Sequence, residues 1–274
     1  MNATVHRWTG DPRSTLGTML VGIAILMALL AAYLSPYAPE AADFIDTLAA
    51  PSSAHLMGTD ELGRDVLSRV IYGARVSLFV GLLSVGLAGA AGTLLGLVAG
   101  YVGAWADAVI MRVMDVVFAF PSILLALAIT AVLGPSLTNA VLAIAIVNIP
   151  VFARVARAQT LVIRQMDYVE AKRALGFGRT HILLQTVLPN IAAPVIVQGS
   201  LLFASAVITE SYLSFLGLGV QPPTPSWGNM LRNAIGFLEL APWLAWFPGA
   251  AIFLTVLGCN LLGDGLRDRF DPRD

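Results

Sequence analysis

The most constraining feature of this chain is a series of apolar runs, each long enough to cross the roughly 30 Å hydrocarbon layer of a bilayer. They cover residues 16–34, 77–101, 116–133, 137–152, 191–218 and 243–262. A backbone in lipid has no water to bond to, so runs of this length must satisfy their own amide groups as helices. Composition agrees, because a chain that is 57% apolar and 12% charged has too few polar side chains to clothe a soluble core. The expected fold is an all-α membrane protein with about six transmembrane helices. The fourth run is short and carries Asn139, Asn148 and Pro150, yet it follows the third so closely that it must close a hairpin. The first run is longer than the roughly 7 to 15 residues of a cleaved secretory signal, so it reads as a retained span.

Charge sets the expected orientation. With the N-terminus inside, the inner segments hold Arg7, Arg13, Arg112, Arg154, Arg157, Arg164, Lys172, Arg173, Arg179, Arg267, Arg269 and Arg273, which is 12 of the 16 basic residues. The outer segments hold Arg64, Arg69, Arg75 and Arg232. This bias predicts both termini in the cytoplasm, with residues 154–189 inside and 35–76 outside. Asp115 and Arg112 are spaced for an i,i+3 pair at the inner surface. A net charge of -1 argues against nucleic acid as a partner. Cys259 stands alone in an apolar run, and His6, His55 and His181 are too far apart for a local motif, so no disulfide framework or metal site is expected.

In the second run small residues recur every fourth position, at Ser84, Ala88, Gly92, Gly96 and Gly100. They form a groove that admits another helix backbone, from this chain or from a partner. On the inner loop, residues 167–176 read as a short helix, with Asp167 as N-cap, Glu170 completing a capping box and Gly176 at the C-terminal stop. Thr180 is placed to cap a second helix ending before Pro189. Tyr168, Ala171, Ala174 and Leu175 share one face of the first helix, which suits docking into a groove of another protein; a solvated loop whose arginines fix topology is the alternative.

Glu170-Ala171, Gly176 and Leu188-Pro189 resemble the EAA loop of bacterial binding-protein-dependent ABC importers, with Lys172 in place of the second alanine and Thr186 in place of the isoleucine. The resemblance implies that this loop is the coupling helix seated in an ATPase cleft, with Asp167, Tyr168, Glu170, Ala171, Ala174, Leu175, Gly176 and Pro189 as its residues. The outer stretch 55–69, continuing to Gly73-Ala74-Arg75, resembles the signature of the dipeptide, oligopeptide and nickel permease family in its second, "C" subunit. Within it Gly58, Thr59, Asp60, Gly63, Arg64 and Asp65 supply turn chemistry and acid–base pairs, for a self-packed loop or a docking surface.

The resemblance implies the transmembrane domain of a type I importer. Its division would be residues 1–72 as N-terminus, first helix and outer segment, 73–264 as a five-helix permease core, and 265–274 as a cytoplasmic tail. It further implies a homologous permease as heterodimer partner, two ABC ATPase domains that bind ATP and Mg, and an external solute-binding protein. The solute would be a di- or oligopeptide, with glutathione or chelated nickel as alternatives. A phosphate-binding P-loop needs a Gly-Lys pair, and the sole lysine, Lys172, follows Ala171, so no ATP site and no cofactor are expected in this chain.

Glu210 is the one clear intramembrane charge, either a residue of the translocation pathway or a carboxylate satisfied by neighbouring helix groups. Residues 221–228 are too proline-rich to be helical throughout and read as a stiff connector, with Trp227 at the outer membrane interface. An ion-coupled carrier would show midplane acids in paired halves, and only Glu210 points that way. A membrane-embedded enzyme would need a nucleophile–base set or a metal motif, and neither H-E-x-x-H nor G-x-S-x-G occurs.

Overall fold

The computed structural model describes residues 12–270, so His6, Arg7 and Arg273 lie outside the described residues. Helix α1 (Pro12–Leu29) continues after a break at Leu30 into the single turn α2 (Ala31–Leu34). An irregular segment leads to α3 (Val66–Val102), then come α4 (Ala104–Phe118), α5 (Ser122–Leu133) and α6 (Leu137–Ile163). The short helices α7 (Asp167–Ala174) and α8 (Arg179–Ile182) precede a π-helical turn, Leu183–Val187, that runs into α9 (Leu188–Phe215). Helix α10 (Trp227–Ala234) and α11 (Trp243–Phe270) complete the chain. Five of these stretches are long and apolar enough to cross a membrane, and α4 with α5 make a sixth if taken as one bent span.

The expected third span is not a straight helix. Helices α4 and α5 meet at 88° around Ala119–Pro121. Pro121 has no N–H to give and disfavours a helical residue before it, so the chain must turn there. The fourth run, judged short on its apolar residues, is the core of a 27-residue helix. Its later turns carry Arg154 and Arg157, which find partners on α4: Arg154 Nη2 lies 2.8 Å from Asp115 Oδ1, and Arg157 forks onto both oxygens of Asp107. Asp115 therefore pairs across helices with Arg154 and not with Arg112 as its spacing suggested, because α6 brings a guanidinium into reach. At the other end Ser136 caps Asn139 N at 3.1 Å, and Asn139 Nδ2 donates to the carbonyls of Leu133 and Gly134, closing the α5–α6 hairpin.

Helix α3 is the axis of the fold. It starts eleven residues before the expected span because Asp65 caps it, accepting from Ser68 N at 2.7 Å. At about 1.5 Å per residue its 37 residues exceed the hydrocarbon thickness, so one end projects from the bilayer. It also runs unbroken through residue 72, so the expected division between residues 72 and 73 falls inside a helix. The small-residue groove is filled from within the chain, by α6. A Cβ on Gly92 would lie 2.6 Å from Ile149 O, one on Gly96 2.7 Å from Ala156 Cβ, and one on Gly100 2.7 Å from Thr160 Cβ. Helices α1 and α11 pack on each other by the same device, with Gly17 against Leu261 and Leu262, and Gly258 against Leu20.

Trp227 is not an interface anchor. It is fully buried against Gly73 of α3, and its indole N–H donates to Val70 O at 2.9 Å. A buried indole needs an acceptor, and the missing side chain at Gly73 lets the ring approach one.

The α3–α6 seam is directly testable. Gly96→Val should lower stability by about 1–3 kcal/mol through overpacking, read as a fall in melting temperature of the purified membrane protein. Gly86→Val, on the same helix with nothing within 4 Å of the added carbon, should leave it unchanged. Equal shifts in the two variants would show that the seam does not hold the fold.

Candidate functional site: the α7 hairpin, the 55–69 segment and Glu210

Helix α7 is a short, rigid element with an apolar face turned outward. Tyr168, Ala171, Ala174 and Leu175 are all exposed, and Leu175 is 77% exposed. Opposite them Val169 is fully buried in a cluster with Leu97 of α3, Ile163 of α6, Ile182 of α8 and Ile191 of α9. One valine thus ties this helix to the long helices. Sequence reading missed Val169, although it is the one large apolar residue on the face away from Ala171 and Leu175.

The ends of α7 differ in part from expectation. Met166 is the N-cap and makes no side-chain bond, so Asp167 is the first helical residue and the capping box does not form. Asp167 and Glu170 instead occupy the first turn and Lys172 and Arg173 the last, the arrangement the helix dipole favours. Gly176 does end the helix. Its φ is +84°, Gly176 N donates to Arg173 O at 3.1 Å and Phe177 N to Lys172 O at 3.2 Å, which is the Schellman pattern.

The following helix does not stop before Pro189. Gly178, not Thr180, occupies its N-cap position. The turn before Pro189 widens, with Leu188 N bonding Leu183 O, so the proline ring and its missing N–H are accommodated in the first turn of α9. Residues 179–215 therefore form one continuous path from the α7 hairpin into the bilayer. Lys172 and Thr186, the two departures from the EAA pattern, face each other: Lys172 Nζ donates to Thr186 Oγ1 at 2.8 Å. This polar clamp joins α7 to the π turn where the family pattern has two apolar residues.

At the opposite end of the bundle the 55–69 stretch is a buried charge knot. Thr59 and Asp65 pair as an isolated antiparallel bridge around a tight loop. Asp60 Oδ1 accepts from Leu62 N and Arg64 N, each at 2.9 Å, while Oδ2 takes Arg64 Nε at 2.7 Å and Arg69 Nε at 3.4 Å. Asp65 holds Ser68 through Oδ2 and His55 Nδ1 at 3.0 Å through Oδ1. Gly58 and Gly63 have φ near +70°, and at Gly63 any side chain would run into the Asp43 backbone. Trp243 Nε1 reaches Thr59 O at 3.2 Å and Asn233 Nδ2 reaches Glu61 Oε1 at 3.2 Å, so the knot also grips α10 and α11. Above it, a turn held by Asp43 Oδ1 accepting from Ile45 N presents Phe44 and Ile45, the latter 91% exposed.

Glu210 on α9 is buried among hydroxyls. Ser77 Oγ of α3 donates to it at 2.9 Å and Ser214 Oγ, one turn on, at 2.7 Å, with Ser226 before α10 close beside them. Ser226 Oγ in turn accepts from Asn229 N and caps α10. Sequence reading identified no partner for Glu210, although the i+4 spacing of Ser214 on the same helix was a signal that could have found one. Among the described residues no group of three or more metal-binding side chains occurs.

Three variants probe this geometry. Asp60→Ala leaves two buried guanidiniums without their shared carboxylate, which should cost about 3–5 kcal/mol and appear as loss of folded protein from the membrane. Thr186→Ile alone should destabilise by leaving the Lys172 amine without its partner, and Lys172→Ala with Thr186→Ile should restore the melting temperature. Strictly additive losses would mean that the two residues do not act as a pair.

Known proteins give this geometry a context. Residues 92–273 match the family described as binding-protein-dependent transport system inner membrane component. The chain is 46% identical to the dipeptide transport system permease protein DppC of Alkalihalophilus pseudofirmus, over 94% of this chain and 84% of the relative. It is 48% identical to the glutathione transport system permease protein GsiD of Pectobacterium atrosepticum, over 93% of this chain and 85% of the relative. Against the probable D,D-dipeptide transport system permease protein DdpC of Escherichia coli the identity is 45%, over 96% and 89%. The family match contains the α7 hairpin, and the relatives extend across the 55–69 knot. This chain belongs to the binding-protein-dependent transport system inner membrane component family, as a multi-pass permease subunit of an ABC transport system.

Proposed function

We propose that this chain forms half of the translocation pathway of an importer for di- or oligopeptides or a glutathione-like solute. Its partners would be a second, homologous permease, two ABC ATPase domains that bind ATP and Mg, and an external solute-binding protein. The observation that carries this reading is the α7 hairpin: an exposed apolar face on a helix that one buried valine and one polar clamp fasten to the ends of the spanning helices. Such an element transmits displacement. An ATPase cleft closing on Ala171, Ala174 and Leu175 would move Val169 with it, and through Ile182 and Ile191 would tilt α9 against α3 and α6. Peptide and glutathione solutes are drawn from the names of the relatives, which share nearly half their residues with this chain.

The basic residues gather at the α7 end, and this supports a cytoplasmic hairpin, cytoplasmic termini and residence in a bacterial inner membrane. The knot at residues 55–69 would then lie outside, as the rigid mount of a surface that receives the binding protein. The segment before α3 is best treated as a functional unit together with the first turns of that helix. Glu210 acts in this reading as a structural pin that joins α3 to α9 beside the approach to α10, because Ser77 takes one of its oxygens and Ser214 the other. An ion-coupled carrier draws no support from a carboxylate engaged in this way.

Reconstitution with ATPase subunits and binding protein tests the proposal. Gly176→Val puts a β-branched residue at positive φ, and Leu175→Asp places a charge on the apolar face; each should lower ATP-driven uptake at least tenfold while the permease remains in the membrane. Uptake driven by a proton or sodium gradient with this chain alone would overturn the reading. Glu210→Gln keeps a carbonyl acceptor and should retain uptake, whereas Glu210→Ala leaves hydroxyls unpaired and should destabilise the protein by about 1–3 kcal/mol. Normal stability with altered solute preference in Glu210→Gln would instead place this residue in the pathway.

A further inference from the structure

Beneath the α7 hairpin lies a cavity of about 700 Å³, on the side of the helix away from its exposed apolar face. Three guanidinium-bearing residues from three different elements line it: Arg164 at the end of α6, Arg173 on α7 and Arg179 at the start of α8. Among the described residues the only carboxylate in the lining is Glu170. Asp107 lies near Arg164, but both its oxygens are held by Arg157. The cavity therefore carries a net positive charge of about two, from three arginines and one glutamate.

The lining is amphipathic as well as basic. Arg164 is half-buried and fixed, with Nη1 donating to Gly100 O at 2.8 Å, which leaves other N–H groups of its fork for a ligand. The Arg173 guanidinium lies 6.0 Å from the centre of the Tyr101 ring, and Phe177 forms another wall. Tyr101 and Arg164 stand side by side at the ends of α3 and α6, two helices long and apolar enough to span a bilayer. A converging set of guanidiniums matches phosphate oxygens, which they bind in a bidentate fashion. An apolar wall beside them suits the glycerol and ester region of a lipid more than a free ion.

We propose that this cavity binds the headgroup phosphate of an anionic phospholipid of the cytoplasmic leaflet, and that the lipid braces α7 against the ends of α3 and α6. The leaflet assignment rests on the orientation proposed above; the site itself does not. Ala171 and Leu175 lie across the helix from Arg173, so the face proposed to dock and the arginines of the cavity are on different sides of α7, with Glu170 between them at the cavity rim.

The test uses the complete transporter in nanodiscs of phosphatidylcholine, with or without phosphatidylglycerol, and counts retained lipid by native mass spectrometry. Phosphatidylglycerol should be retained by the unaltered protein, and Arg173→Gln and Arg179→Gln should each weaken retention about fivefold. Arg112→Gln, an exposed arginine on α4 outside the cavity, should not. Both test residues are exposed, so the substitutions spare the fold. Retention that is unchanged in the Arg173→Gln, Arg179→Gln double variant, or equally reduced in Arg112→Gln, would overturn the site. Inorganic phosphate that protects the protein from heating where phosphatidylglycerol does not would overturn the lipid as its source. Lipid retention needs no transport, so failure of the importer reading would leave this result standing.

Discussion

The close approach of α3 and α6 is the contact on which the other features rest. Gly92, Gly96 and Gly100 let two backbones meet where side chains would hold them apart. In lipid there is no hydrophobic gain from joining two apolar helices, so dispersion at short range must supply the attraction. Both functional ends then depend on this seam. At one end α3 and α6 terminate side by side and offer Leu97 and Ile163 as the seat for Val169. At the other, α3 begins far enough before its apolar run for Asp60, Arg64, Asp65 and Arg69 to fold into a knot at its start.

The two ends are built differently, for a physical reason. The α7 hairpin is small and mostly exposed, held by one buried valine, a glycine-closed turn and a lysine–threonine bond. Few contacts allow a lever to be moved by a partner of modest binding energy. The 55–69 knot is the reverse, with two guanidiniums sharing one buried carboxylate and a helix cap folded into the same network. Removing Asp60 would take from Arg69 its one carboxylate partner in the knot and from Arg64 its closest one, so the network holds a single arrangement. A rigid mount and a movable lever on one axial helix suit the proposed importer, in which a partner would dock at each end.

Glu210 shows how a buried carboxylate is made tolerable in a membrane. Ser77 of α3 and Ser214 of α9 each donate to one of its oxygens, and beside them Ser226 caps α10. The carboxylate, read from sequence either as a pathway residue or as one satisfied by neighbouring helix groups, thereby links α3 and α9 beside the chain leading to α10. Trp227 extends this junction one residue further, with its indole bonded to Val70 O.

Hydrophobic length, basic-residue bias, the glycine stripe and the Gly176 stop were all legible from residues alone, because each depends on local chemistry or on the bilayer as solvent. So was the family, carried by the 55–69 signature and the α7 loop. Three-dimensional packing decided the rest. It bent the third span at Pro121, extended the fourth through paired arginines, moved the N-cap from Asp167 to Met166 and carried the helix path past Pro189 by widening one turn. It took Trp227 from the membrane surface into the core and brought Lys172 to Thr186 and Glu210 to Ser77. These pairings join residues far apart in the chain or on different helices, and periodicity reports only which way a residue points along its own helix. Which neighbour it meets is set by how closely the helices approach, and that is fixed when α3 and α6 close on their glycines.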